Sequence, residues 1–553
     1  TLFERLDGSR AGAFHRVVWQ PLSDAQAAEQ QLIEEIRAEL DEHLKAVPKK
    51  ILATWSDKIQ PDNLLEFRTL EPFSGSRSKL ISMALNMGNE QNAAKLAGGY
   101  GWRENEIMRV LDKELTPEEW QYVQRVWDTI EKLWPKIVEV EKRVNGVAPD
   151  KVRARRLNTS AGILRGGYFP VVYDMARDRL TSQQQERNRD SLFENTYQRA
   201  STSRGFTKAR TEVERPILLS LDVIQRHVAE VAHDITHREA VMQADRFLSD
   251  SRVLDAVDET MGQHISKLFR PWLQHVANQW AYDRAGVSEL ENAMRTLRRN
   301  TTFVGMGYRV YTVITQLAGY TNSVERIGLR WFMEGLGLSL RNPIEANRFA
   351  IERSNELKTR FSTMDRDMAE NARRVAGRTD VGAMVSRYAY SGISAFDRLV
   401  SIPTWLGAYN KALAQGLGEE QAVYEADSAV LQSQGGGAAK DLSAIQRGRG
   451  PAGELGKALT LFYSFQSAQF NRLANLYYDA SDAKREKAPE MIPEIAARTF
   501  VLVALVPVIG QLVSGKGPDE ENEEGWAEWA AKQSLYGLAA PLPFFRDAVP
   551  VTT

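Results

Sequence analysis

The chain has 553 residues, of which 43% are hydrophobic and 26% are charged, and it contains no cysteine. This composition excludes a disordered chain, and the length predicts about three or four domains of ordinary size. The formal net charge of −1 excludes a global attraction to nucleic acid, so any such affinity must come from local patches. The lack of cysteine excludes disulfides, thiolate metal sites and cysteine nucleophiles.

Helical periodicity starts early, with an amphipathic pattern over residues 25–47 that ends at Pro48. Further on, Thr116-Pro117-Glu118-Glu119 combines a capping threonine, a proline at the first helical position and a glutamate three residues after the cap. This combination predicts a helix start with a capping box.

The helix predicted to follow, through residue 145, carries large apolar residues at heptad-like spacing. They predict a seam that packs lengthwise on another long helix, with ligand stacking as the alternative. The seam consists of Trp120, Val123, Trp127, Ile130, Trp134 and Ile137.

A basic stretch covers residues 151–215, with 14 basic residues against 7 acidic ones and a local balance of +7. It predicts contacts to the phosphates of double-stranded DNA without sequence specificity, or alternatively a solvated face paired with acidic neighbours. The candidate phosphate contacts are Arg153, Arg155, Arg156, Arg177, Arg179, Arg187, Arg189, Arg204, Lys208 and Arg210.

Residues 233–237 read His-Asp-Ile-Thr-His, which imitates the H-E-x-x-H helix of zinc proteases. Aspartate is shorter than the glutamate that serves there as general base, and no clear third ligand follows. His227 and Glu230 lie upstream, which is not the usual arrangement. The pattern therefore favours two histidines on a polar helix face, and we predict no catalytic residue, no metal ligand and no cofactor.

Helical patterns continue through residues 301–390, where Gly335 and Gly337 are among several glycines that permit close helix approach. The sequence shows no βαβ alternation and no strand-rich region. We predict an all-α fold, an extended multi-helix assembly with long helices and a C-terminal hydrophobic helical hairpin. The predicted segments are 1–150, 151–300, 301–390 and 391–553.

The most apolar run, residues 499–515, has no charge and lies at the lower edge of the length that crosses a bilayer. A buried core helix and a membrane helix both remain open, and an acidic turn joins the run to a second apolar segment, 534–545. The candidate membrane-contacting residues are Phe500, Val501, Leu502, Val503, Leu505, Val506, Val508, Ile509, Leu512 and Val513.

The last part of the chain carries an ordered series of motifs: Phe396-Asp397-Arg398, IPTWLGAYNKAL (402–413), EEQAVYEADSAV (419–430), SQGGGAAKDL (433–442), LTLFYSFQSAQFN (459–471) and LAAPLPFFRDAVP (538–550). This block resembles the C-terminal domain of the large polyvalent protein-associated group of phage polyproteins, and it is similar to the internal virion, or DNA-ejection, proteins of short-tailed phages. The resemblance covers about residues 391–550 and assigns no catalytic residue.

The resemblance implies a structural protein inside the virion that is expelled into the host periplasm and inner membrane to help form a conduit for the genome. It implies homo-oligomers, and as partners other ejection proteins, the portal and tail complex, DNA and the host membrane. The opening residue, Thr1, suggests a processed product or a piece of a longer polypeptide. The alternatives are a phage-delivered enzyme, either peptidoglycan-cleaving or an HDxxH metalloprotease, and a membrane-inserting pore or scaffold protein.

Overall fold

The fold is all-α, as the sequence predicts: in the computed structural model, the residues that are described are 79% helical with almost no strand. The structure describes residues 2–8, 11–59, 75–172, 216–278, 319–362, 381–434, 440, 473, 476–477, 480–481, 483–484, 489–505, 508 and 525–539. The acidic turn of the predicted C-terminal hairpin, residues 518–524, lies outside these residues.

The α-helices are numbered in chain order. In the first half they are α1 (Leu2–Leu6), α2 (Gln20–Lys45), α3 (Lys49–Thr54), α4 (Arg77–Asn86), α5 (Glu90–Tyr100), α6 (Glu104–Glu114), α7 (Pro117–Glu131), α8 (Trp134–Asn145), α9 (Asp222–Leu248), α10 (Ser251–Met261) and α11 (Gln263–Ala277). In the second half they are α12 (Gly319–Ile327), α13 (Leu329–Arg341), α14 (Pro343–Arg353), α15 (Asn355–Ser362), α16 (Val381–Ala414), α17 (Glu419–Gln434), α18 (Ile492–Phe500) and α19 (Trp526–Ala539).

Strands form two short antiparallel pairs in the described residues, and Asn89 and Ala154 form an isolated antiparallel bridge. Strand β1 (Lys58–Ile59) pairs with β2 (Gly75–Ser76), and β3 (Leu157–Thr159) pairs with β4 (Gly162–Leu164). Other helical turns are the π-helical segments His15–Trp19 and Val501–Leu505 and the 3-10 turn Pro489–Met491.

The chain divides into two compact units, each built from separate stretches of sequence. Unit 1 comprises residues 1–27, 250–276 and 286–553, and unit 2 comprises residues 28–249 and 277–285. Neither unit coincides with one of the four consecutive segments predicted from composition. Contacts between distant residues, which composition does not record, define these units.

In unit 2, the predicted start of α7 is confirmed. The Thr116 Oγ1 accepts a hydrogen bond from the Glu119 amide at 3.3 Å, and the Glu119 carboxylate accepts one from the Thr116 amide at 2.9 Å. The prediction of one continuous helix to residue 145 is wrong, because the chain breaks between α7 and α8. Pro135 has no amide hydrogen, and its ring would clash with the carbonyl of residue 131 in a continuous helix.

The six seam residues nevertheless all face the core of unit 2 on both sides of this break. Five of them are buried in the core of unit 2, and Trp134 is half-buried against that core. The indole Nε1 of Trp127 donates to the Leu85 carbonyl at 3.0 Å. The seam therefore packs within this chain.

Unit 1 is centred on α16, which packs against α13, α17, α12 and α14. Pro403 lies inside α16, so the Leu399 carbonyl lacks the amide donor that it would otherwise have four residues ahead. The Tyr320 hydroxyl of α12 donates to that carbonyl at 2.9 Å. A side chain from a neighbouring helix thus satisfies the acceptor that the proline leaves open.

The apolar run begins in α18 and continues through the π-helical turn Val501–Leu505, which α19 contacts. Phe500 is exposed, and Val501, Val503 and Val508 are partly buried. The other candidate membrane-contacting side chains lie outside the described ones: Leu502, Leu505, Val506, Ile509, Leu512 and Val513. Within the described ranges, none of the helices combines the length and hydropathy needed to cross a bilayer.

Candidate functional site

A partly buried carboxylate in unit 1 is held by Trp405 of the C-terminal motif block and by Ser354, which precedes that block. Asp427 of α17 accepts hydrogen bonds from the Trp405 indole Nε1 at 2.7 Å and from the Ser354 hydroxyl at 2.5 Å. Burial, together with the nearby charge of Glu356, raises the pKa of Asp427 to about 7. The raised pKa favours the protonated form of Asp427.

A second buried acid lies close by and is fully paired. The Lys440 ammonium lies 2.6 Å from Glu356 Oε1, and the Ser23 hydroxyl donates to the same carboxylate oxygen at 2.6 Å. The Lys440 nitrogen also lies 4.1 Å from the centre of the Trp19 ring, a cation–π contact. In the sequence, Lys440 comes three residues after Gly437, and its charge neutralises Glu356.

These two acids line a small cavity of unit 1. Its volume is about 20 Å³, which holds about one water molecule. The lining residues are Phe3, Glu4, His15, Trp19, Gln20, Ser23, Asn355, Glu356, Tyr424, Asp427, Ser428 and Leu431.

A second cluster, in unit 2, contains the two histidines of the HDxxH sequence. His233 and His237 lie one turn apart on α9, and their rings stack with centroids 4.1 Å apart. Glu29 of α2 places its Oε2 atom 3.3 Å from His233 Nδ1 and 3.7 Å from His237 Nδ1. All three side chains are buried, and one ligand-type atom of each lies within 4.8 Å of the others.

The two histidines are held in different electrostatic states. Burial alone would lower the pKa of His233, but the Glu29 carboxylate, the Ala277 carbonyl and the charge of Asp234 together raise it. Burial, together with the charge of His233, lowers the pKa of His237 to about 3. His233 Nε2 lies 3.2 Å from the Ala277 carbonyl oxygen, which only accepts, so this ring nitrogen carries a hydrogen.

The acid between the two histidines is occupied elsewhere. The Asp234 carboxylate receives two hydrogen bonds from the Arg238 guanidinium, which also donates to Glu141. All three side chains are buried. Asp234 is therefore an ion-pair partner and is unavailable as the general base that the HDxxH pattern would need.

Sequence reasoning missed Glu29 as a neighbour of these histidines. It considered His227 and Glu230, which are near in sequence, whereas Glu29 lies 204 residues before His233. No local signal marks this pairing. Its only trace in the sequence is that Glu29 belongs to an amphipathic helix, which fixes its helical phase but not its partner.

Three of the candidate phosphate contacts lie in the described part of unit 2. Arg153 and Arg156 are exposed, and Arg155 forms an ion pair with Glu104. Two other cations of the same stretch are also paired, Lys151 with Glu131 and Arg165 with Asp128. The other candidate phosphate contacts lie outside the described residues: Arg177, Arg179, Arg187, Arg189, Arg204, Lys208 and Arg210.

Comparisons with protein-family models, with characterised proteins and with solved structures find no match to this chain. Its function is therefore inferred from its own residues and contacts.

Proposed function

We propose that the chain is a structural internal virion protein of a short-tailed phage, expelled into the host envelope to help form a conduit for the genome. The observation that carries this proposal is the ordered motif series of residues 391–550, which resembles the C-terminal block of such proteins. The all-α fold is consistent with a protein whose work is assembly.

In unit 1 the motif residues pack against one another and form hydrogen bonds between helices, which supports a structural role. Trp405 and Tyr409 stack at 5.0 Å inside the core, and Trp405 also donates to Asp427. Asp397 accepts two hydrogen bonds from the Arg360 guanidinium, each 2.8 Å long. Motif residues that pack helices and accept hydrogen bonds from neighbouring helices are what a scaffold requires.

An exposed apolar stripe on unit 1 supports binding to another surface. Leu329, Met333 and Leu340 of α13 and Ile344 of α14 are between 54% and 83% exposed. A grouping of large apolar side chains in water is typical of an interaction site. Within the proposal, this stripe contacts another copy of the chain, another ejection protein or the portal and tail complex before ejection, and the host membrane afterwards.

The enzyme alternatives have less support in the described residues. The cavity beside Asp427 and Glu356 has room for about one water molecule. In the HDxxH segment, Asp234 is engaged by Arg238. We therefore propose that the chain acts without catalysis, and that exposed cations such as Arg153 and Arg156 contact DNA phosphates during passage.

Quantitative mass spectrometry of purified particles, before and after ejection is triggered in vitro, tests the proposal. We expect the chain in intact particles at a fixed copy number and its loss from emptied ones. Intact particles that lack the chain, or emptied particles that retain all of it, would contradict the proposal.

Liposome flotation of the full chain, and of a chain ending at Arg498, tests the membrane step. We expect the full chain to float with anionic vesicles and the shortened chain to float less. Equal flotation of both would show that the apolar run is not the membrane contact. Circular dichroism of the shortened chain serves as the control for its folding.

A further inference from the structure

We propose that Glu29, His233 and His237 bind a zinc ion, or a similar transition-metal ion, through Glu29 Oε2, His233 Nδ1 and His237 Nδ1. The site lies wholly in unit 2 and joins α2 to α9. It goes beyond the function proposed above, which does not depend on it, and it departs from the prediction that the chain has no metal ligand.

The donor set suits zinc. Two imidazoles and one carboxylate are a common ligand combination for this ion. Histidines four residues apart on a helix present their rings on one face, so α9 supplies two ligands without any change of backbone. The third ligand comes from a different helix, α2, so the ion would link α2 to α9.

The two distances from the carboxylate to the imidazoles fit a tetrahedral ion, and the ligand atoms of the two histidines lie within 4.8 Å of each other. Zinc–ligand bonds of about 2.0–2.1 Å place neighbouring tetrahedral ligands about 3.3–3.4 Å apart. Glu29 Oε2 lies 3.3 Å from His233 Nδ1 and 3.7 Å from His237 Nδ1. A few tenths of an ångström of side-chain movement would bring both pairs to the ideal separation.

The hydrogen bond made by the second ring nitrogen of His233 also supports a metal site. Its Nε2 donates to the Ala277 carbonyl at 3.2 Å, so the neutral ring has a bare lone pair at Nδ1. That lone pair faces a carboxylate oxygen at 3.3 Å, which repels it unless a cation lies between them. Metal-bound histidines usually donate their other ring nitrogen to a carbonyl or carboxylate in this way.

A proton on His233 would also relieve this repulsion, but it would serve only one of the two rings. His237 Nδ1 is 3.7 Å from Glu29 Oε2, beyond hydrogen-bond length. A single metal ion between the three atoms would engage both histidines and the carboxylate. In the structure His237 Nδ1 lies 3.0 Å from Thr236 Oγ1, and the metal ion would take the place of that hydrogen bond.

The ion would have a structural role. A hydrolytic zinc site needs a general base beside the metal, and Asp234 is held by Arg238. A buried ion ligated by α2 and α9 adds its binding free energy to the stability of the folded state. Metal loading would therefore raise the stability of unit 2.

The test uses the purified full-length chain, stripped with EDTA, dialysed and titrated with zinc chloride alone. We expect about one zinc per chain by elemental analysis and a thermal transition that rises with zinc concentration. Cobalt(II) in place of zinc should give the intense visible absorption of a four-coordinate ion.

Three variants separate this site from adventitious binding. Glu29→Gln and His237→Gln should each weaken zinc binding by more than the roughly 10–100-fold typical of changes around a metal site. His264→Gln, at an exposed histidine of unit 1, should bind zinc as the parent chain does.

Unchanged zinc affinity in Glu29→Gln and His237→Gln, or no zinc bound by the parent chain, would overturn the proposal. If either variant fails to fold, the cobalt spectrum of the parent chain decides. Cobalt bound with only the weak absorption of a six-coordinate ion would then count against the site.

Discussion

Gly335 of α13 and Gly407 of α16 bring the backbones of two helices of unit 1 into direct contact. A Cβ atom on Gly335 would lie 2.1 Å from the Pro403 carbonyl oxygen and 2.6 Å from the Gly407 amide nitrogen. A Cβ on Gly407 would lie 2.4 Å from the Trp331 carbonyl oxygen. These neighbours are backbone atoms, which cannot rotate away, so neither position accepts a side chain without moving a helix.

The first prediction is that Gly335→Ala destabilises unit 1 by at least about 2 kcal/mol, because the added methyl group forces the helices apart. Gly337→Ala, on the same helix, is the matched control. Gly337 is exposed with open space around it, so this change should stabilise the helix by about 0.5–1 kcal/mol.

Urea unfolding measures both changes, and hydrogen exchange assigns them to α13 and α16. Similar unfolding free energies for the two alanine variants would show that the close approach at Gly335 has no energetic consequence.

The second prediction concerns the Tyr320 hydroxyl and the carbonyl that Pro403 leaves without a donor. Tyr320→Phe should cost about 1 kcal/mol, because the Leu399 carbonyl loses its partner. In a Pro403→Ala background the new amide at 403 can serve that carbonyl, so the same change should cost close to nothing.

A double-mutant cycle of unfolding free energies measures this coupling. Equal costs of Tyr320→Phe in the two backgrounds would mean that the tyrosine does not replace the missing amide.

The third prediction is a pH dependence that originates from Asp427. Its pKa is about 7 in the folded chain and about 3.9 in an unfolded one. Between these values the folded state binds more protons than the unfolded state, so this group makes stability fall as pH rises from about 4 to about 7. Above about 7 its contribution is constant.

Asp427→Asn should remove that part of the slope, and the difference from the parent chain isolates it from other titrating groups. Glu420→Gln, at an exposed acid on the same helix, should retain the parent slope. Denaturation at several pH values provides the measurement, and parallel curves for Asp427→Asn and the parent would refute the assignment.

The fourth prediction concerns Glu119, which is fully buried in unit 2. Besides capping α7, its carboxylate accepts two hydrogen bonds from Arg77, at 2.8 and 2.7 Å, and one from Trp55 at 3.0 Å. Glu119→Gln keeps the shape of the side chain, but it removes the charge that balances Arg77 and replaces one accepting oxygen with an NH2 group that can only donate. We expect a loss of about 2–3 kcal/mol of stability.

Glu118→Gln removes the adjacent exposed carboxylate and should change stability by about 0.5 kcal/mol or less. Chemical denaturation compares the two variants. If they behave alike, the buried contacts of Glu119 add nothing to its role as a cap.

Glu119 also shows which contacts can be predicted from the sequence and which cannot. Its role in the capping box was predictable, because the partners Thr116 and Glu119 are three residues apart and local chemistry decides the geometry. Its ion pair with Arg77 was not, because that contact spans 42 residues and depends on how α4 packs on α7. The contact between Glu29 and the histidines of α9 was unpredictable for the same reason, since it spans 204 residues.

Two errors have identifiable physical causes. The heptad spacing from Trp120 to Ile137 predicted one helix, but Pro135 outweighs periodicity, and a proline within the pattern was the signal that could have revealed the break. The glycines of α13 looked equivalent in sequence, whereas Gly335 faces α16 and Gly337 faces solvent. The difference between the two glycines depends on which side of α13 faces the neighbouring helix, and the sequence does not give that.

The discontinuous arrangement of unit 1 has a consequence for synthesis on the ribosome. The Glu4 carboxylate of α1 accepts hydrogen bonds from Ser428 and Gln432, residues more than 400 positions later. At translation rates of about 5–20 residues per second, α1 waits roughly 20–80 s for these partners. For much of that interval the Phe3 ring also lacks its aromatic neighbour Phe269, so nascent unit 1 needs protection from aggregation for longer than unit 2 does.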